Sequence, residues 1–185
     1  LGGGDSPFIG VIWEPTTVDV HNARLSTIEM NLDRNGFQLH TCADDDDIDT
    51  LHEIDFCHQD DVVDSYYPMC EKLVSNSLTK TSTATPISCV CAFDHNLRSS
   101  DHSSVGQIKG SQKMTNDDGK QLPAPQVQNP AGIVHADYTI VSGPRRLRDL
   151  SNAPKLNDVL RPKLLAQNRK SLLDPTIVQE ALDGK

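Results

Sequence analysis

The residues best suited to chemistry are His135 and Asp137, separated by Ala136 within an apolar run, Gly132-Ile133-Val134 before and Tyr138-Thr139-Ile140 after. In an extended strand alternate side chains share a face, so the imidazole and the carboxylate are expected on one side of the backbone. A neutral imidazole and a carboxylate so placed can supply two corners of a two-His-one-carboxylate facial triad, which leaves positions on iron(II) open to other ligands. The same spacing also suits a surface His–Asp hydrogen bond, and two residues alone do not separate these readings. Tyr138 is expected in the core. Thr139 is expected as the hydrogen-bond partner that fixes the imidazole tautomer.

Other reactive groups are less well placed. Cys89 and Cys91 alternate in Ile87-Ser88-Cys89-Val90-Cys91-Ala92-Phe93, which reads as small buried residues on one strand face. Neither they nor Cys57-His58 have the paired spacing of structural zinc. No context that would activate a thiol nucleophile is visible around any of the five cysteines. Asp44 to Asp47 form an acidic run without the alternating ligands, central Gly and closing Glu of a calcium loop. A calcium-loaded module over residues 44 to 64 is nevertheless a distinct alternative. The opening Gly-Gly-Gly lacks a following Lys-Ser/Thr and reads as a flexible end rather than a phosphate loop.

The elements that must hold these residues are mixed. Phe8 to Trp13 suits a strand, and Leu32 to Leu39 a turn at Asn35-Gly36 followed by a strand. Apolar residues from Asp61 onward recur at three and four residue intervals, and Pro68 fits only near a helix start, so the pattern predicts a helix from Pro68 to Leu78 after a lead-in turn. Ile87 to Phe93 alternates as a strand, and Pro130 to Ile140 is another. Between them, residues 99 to 121 form a long polar loop, the kind of segment that serves as a lid or is disordered when it exceeds about 15 residues. Arg145 to Ser151 and Lys155 to Gln167 are predicted helices, the second broken at Pro162. Asp174-Pro175 opens a last helix that Gly184 closes.

Composition bounds the rest. A hydrophobic fraction of 36%, 4% aromatics and a mean hydropathy of −0.45 predict a thin core. The net charge of −9 argues against nucleic acid as a partner. That charge is uneven. Residues 42 to 64 hold ten acids and no Lys or Arg, whereas residues 145 to 170 hold eight Lys or Arg and two Asp. No apolar run approaches the roughly 20 residues of a membrane span. The odd cysteine count and the lack of a leader pattern predict a reduced, cytoplasmic location. The length predicts a single domain over residues 1–185, with residues 1–17 as a flexible lead-in.

Four ordered motifs carry a resemblance: Leu32 to Leu39 with its Asn-Gly-Phe-X-Leu, Tyr66-Tyr67-Pro68, Phe93-Asp94-His95-Asn96-Leu97-Arg98, and Val134-His135-Ala136-Asp137-Tyr138-Thr139 followed by Gly143 and the Arg-rich segment from Arg145. In these the chain resembles the AsaB-like, CmcJ-related hydroxylase/desaturase family over roughly residues 18 to 185. The resemblance implies an α+β fold with a partial double-stranded β-helix (jelly-roll) core and flanking helices. It implies iron(II) at His135 and Asp137, 2-oxoglutarate as co-substrate, and oxidation of a small organic metabolite in secondary metabolism.

His95 and Arg98 would line the mouth of such a site, or tie that loop down through Asp94. Arg145 and Arg146 would offer guanidinium groups to a carboxylate, or form a solvated basic face. None of the seven histidines lies beyond His135, so the third ligand and the basic residue that grips 2-oxoglutarate are not found in the expected place. Three explanations stand: a chain that stops early and is truncated at its C-terminus, a non-catalytic relative that binds a small molecule or a protein, or His95 as the third ligand. Hydroxylation and desaturation are not distinguished, nor is oligomeric state.

Overall fold

The computed structural model describes residues 15–40, 47–79, 87–100, 127–130 and 136–184. The chain divides into two compact units, Leu1–His40 and Thr41–Lys185. In the first unit a 3₁₀ turn, Ala23–Leu25, is capped by the Asn22 side chain, and the one-turn helix α1, Leu32–Asn35, by that of Asn31. Gly36 ends α1 at φ 73°, a left-handed conformation that glycine adopts without penalty. The Asn-Gly pair therefore stops a helix instead of turning a hairpin, and residues 37–40 have no ladder partner among the described residues.

The second unit is helical. Helix α2 spans Asp47–Glu53, so the end of the acidic run is helix rather than calcium loop. A continuous helical stretch then runs through α3, Gln59–Asp61, a π-helical turn, Val62–Tyr66, and α4, Tyr67–Thr79. Pro68 explains the π turn. It lies inside the helical stretch, where it has no N–H to donate and its ring crowds the carbonyl one turn earlier. Widening the turn just before it relieves that clash, and the Tyr67 N–H consequently reaches Val62 O. Pro68 is thus the second residue of α4, as the sequence predicts, but the lead-in before it is helical too. The basic C-terminal part forms α5, Ser142–Leu150, α6, Arg161–Ala166 with Pro162 in its first turn, and α7, Pro175–Leu182, capped by Asp174. The Asp174 side chain accepts from Thr176 N–H, which holds its carboxyl below the usual carboxylate range.

The core is thin, as the composition predicts. Val62, Val63, Tyr67, Leu160 and Leu164 form one buried cluster, with Tyr66, Ala92, Val159 and Leu172 packed against it. The wide turn brings Val62, Val63 and Tyr67 to one side, where α6 covers them. Lys163 fastens the contact: its Nζ lies 2.7 Å from Asp64 Oδ1 and 3.4 Å from Val63 O, a carbonyl left without its helical donor because Pro68 has no N–H.

The expected jelly-roll is overturned. Among the described residues there is no strand; Arg98 and Gln128 form an isolated parallel bridge. Ile87 to Phe93 alternates in sequence, yet its Ala92 N–H donates to the Glu71 carboxylate of α4 at 2.8 Å instead of joining a ladder. Residues 136–140 are likewise exposed coil. The Phe8–Trp13 segment, most of the 99–121 loop and residues 131–135 lie outside the described residues, as do residues 1–14 of the lead-in.

Candidate active site

The reactive groups that the fold brings together come from two of the four motifs. Tyr67 begins α4 directly after the π turn, and its hydroxyl lies 2.8 Å from His95 Nδ1, with the rings edge to face at 5.6 Å between centroids. Burial, then the nearby Asp94 carboxylate and the Cys70 thiol, raise the Tyr67 phenol well above its ordinary value, so it keeps its proton. Burial outweighs the attraction of Asp94 and lowers His95 below the ordinary imidazole value of 6.5. Both partners are therefore neutral at pH 7, and we assign the hydroxyl as donor to an unprotonated Nδ1. A proton taken up at the Tyr67 oxygen can move on to His95 Nδ1, leaving an imidazolium beside the Asp94 carboxylate.

Tyr67 also borders a cavity of about 160 Å³. Val63, Ala92, Leu160, Leu164 and Leu172 give it an apolar wall, and Glu71, Lys163, Gln167 and Arg169 stand at its polar side. Several polar groups already have protein partners: Glu71 takes the Ala92 N–H, Lys163 pairs with Asp64, and Arg169 donates to Leu172 O at 2.6 Å. A small site with an apolar wall and few oriented polar groups suits a small organic molecule.

The segment after His95 is tied to the approach to His135. Ser99 N–H donates to Gln128 O at 3.0 Å, Gln128 N–H to Leu97 O at 2.9 Å, and the Arg98 guanidinium to Asn129 O at 2.9 Å. Arg98 thus secures a loop, through Asn129 rather than Asp94, whose carboxylate accepts the His95 N–H. His135 lies outside the described residues. Asp137 stands in an exposed bend, and Tyr138 is 47% exposed, not core. Thr139 Oγ1 accepts the Ser142 N–H at 3.0 Å, while Ser142 Oγ accepts the Thr139 N–H at 2.8 Å, together capping α5. Arg145 is exposed, whereas the Arg146 guanidinium lies 4.9 Å from the centre of the Phe93 ring, a cation–π contact that joins α5 to the His95 segment.

Iron(II) needs several donors converging from one side in a sheltered site. Among the described residues no three His, Cys, Asp or Glu side chains converge in that way, and Asp137 lies in an exposed run. The described residues do not fit the ion.

Sequence reasoning named Tyr66-Tyr67-Pro68 and Phe93 to Arg98 as motifs without pairing Tyr67 with His95. Glu71, Lys163 and Arg169 were missed altogether. The available signal was Pro68 within an otherwise helical period, which marks a distorted turn just before it. Cys89 is exposed rather than buried, and Cys91 half-buried.

An oxidoreductase-like class agrees with what the chain matches. It belongs to the family described as oxidoreductase/YMDC permease-like domain, whose profile matches residues 6–169. A protein of Methylophilus leisingeri, described as an uncharacterized protein in the dcmA 3′ region, is 31% identical over 187 residues, covering 99% of this chain and 72% of the relative. No solved structure matches. Despite the word permease in the family's description, no helix among the described residues is long and apolar enough to cross a membrane.

Proposed function

We propose that the chain acts as an oxidoreductase on a small organic molecule bound beside Tyr67, with the Tyr67–His95 pair handling the proton that accompanies oxidation or reduction. The observation that carries this reading is the 2.8 Å bond between a buried phenol at a cavity and an imidazole 28 residues away. The Tyr67 oxygen can take a proton from a substrate hydroxyl while its own proton passes to His95 Nδ1, which ends as an imidazolium beside Asp94. The apolar wall would hold the carbon skeleton and exclude water, and Glu71 would keep the Ala92 segment closed over it.

The test combines binding and turnover. Ligand-detected NMR with a library of small alcohols, ketones and carboxylic acids should yield compounds whose binding is lost when Ala92→Leu fills the cavity. Tyr67→Phe should keep binding and lose turnover by about 10²–10⁴-fold, the usual contribution of a positioned acid or base. Equal turnover in Tyr67→Phe would discard the reading.

The finer reading, a hydroxylase or desaturase using iron(II) and 2-oxoglutarate in secondary metabolism, rests on the His135-X-Asp137 spacing. The bridge that ties Gln128 to the His95 segment is the observation that favours bringing that part of the chain toward Tyr67. Anaerobic iron(II) titration with and without 2-oxoglutarate decides it: specific binding that disappears in His135→Ala supports the hydroxylase class, and its absence removes it.

A further inference from the structure

The thiols of Cys89 and Cys91 play no part in the proton chemistry above, and both are free. One residue separates them, so chain geometry holds their Cα atoms within about 7 Å, close to the range a disulfide spans. Cys89 is exposed and Cys91 half-buried. Among the described residues, residues 87–96 belong to no β-ladder, so drawing the two sulfurs together breaks no ladder hydrogen bond.

The geometry points to a modification site: Cys89 and Cys91 form a dithiol that a peroxide closes to an intramolecular disulfide. The exposed Cys89 meets the oxidant. Its sulfur attacks one peroxide oxygen, the O–O bond breaks, and the sulfenic acid forms with release of one water. The Cys91 sulfur then attacks the Cys89 sulfur; the S–S bond forms and the sulfenic oxygen leaves as a second water with the Cys91 proton. Two thiols lose two electrons and one peroxide becomes two waters.

The surroundings set the order of events. Burial, the neighbouring Cys89 and the Glu71 carboxylate push the Cys91 thiol up to about 11, against a lowering influence from Arg169. A thiol held protonated is a poor first nucleophile, so Cys91 serves as the resolving partner, slow at neutral pH. Closure also acts one residue from Ala92, whose N–H is held by Glu71 at 2.8 Å and whose methyl lines the cavity.

The test treats the whole chain with hydrogen peroxide, quenches with N-ethylmaleimide under denaturing conditions and maps tryptic peptides by mass. Both thiols fall in the single peptide 81–98. The expected product is that peptide short of two hydrogens, unlabelled, and restored to a doubly labelled form by dithiothreitol. Cys91→Ser should trap a sulfenic acid at Cys89 that dimedone captures, and Cys89→Ser should slow oxidation of Cys91 at least tenfold. A doubly labelled peptide while Cys57 or Cys70 oxidises would overturn the proposal. So would over-oxidation of Cys89, or a disulfide-linked dimer, in place of the internal bond.

Discussion

Replacing Tyr67 with Phe removes one oxygen and leaves the ring that packs against Val62, Val63, Leu160 and Leu164. The loss falls on one bond, the hydroxyl to His95 Nδ1 at 2.8 Å. A neutral hydrogen bond contributes about 1 kcal/mol net, and a buried acceptor left unpaired costs about 1–3 kcal/mol. His95 is only partly buried, so solvent can recover some of that cost, and the expected destabilisation is about 1–2 kcal/mol. Urea unfolding followed by circular dichroism should show a lower midpoint at unchanged slope, since the surface exposed on unfolding is the same. A second readout isolates the bond itself. The hydroxyl favours neutral His95, so its removal should raise the His95 pKa, read from the imidazole Cε1–H resonance across a pH titration. A loss below about 0.3 kcal/mol together with an unmoved titration would show that the bond does not form in solution and would refute the proton-handling assignment.

Leu164→Ala should cost about 2–5 kcal/mol in the same unfolding assay, because Leu164 is 4% exposed and central to a core with few members to absorb the void. Thr139→Ala should cost about 0.5–2 kcal/mol by uncapping α5, with Thr139→Ser recovering most of it. The His95 shift sets a pH dependence. Its folded pKa lies below the unfolded 6.5, so the unfolded chain binds the extra proton first. Stability is fully present above pH 6.5 and is lost as pH falls through the folded value; thermal unfolding should show this decline, and His95→Gln should flatten it.

Several local elements were legible in the sequence because their causes are local. Asp174-Pro175 opens α7 since a side-chain acceptor and a preset φ act within one turn. The three and four residue apolar period located α4, and the Arg-rich segment α5, within a few residues. The thin core follows from composition. The strands were misread because alternation states only that one face is apolar, whereas a strand requires a partner backbone, and Ile87 to Phe93 finds Glu71 of a helix instead. Asn35-Gly36 likewise specifies only a left-handed residue, which ends a helix as well as it turns a hairpin.

The candidate site was beyond local reading. Tyr67 meets His95 across 28 residues, and Lys163 meets Val63 across 100, pairings that depend on how the helices pack. The sequence by itself determined that a helix runs on from Pro68 and that acidic and basic segments stand apart, whereas the distorted turn before Pro68 came with the fold. Only the tertiary structure decided which cavity that distortion faces and which imidazole receives the Tyr67 hydroxyl, because burial and proton affinity arise from neighbours distant in the chain.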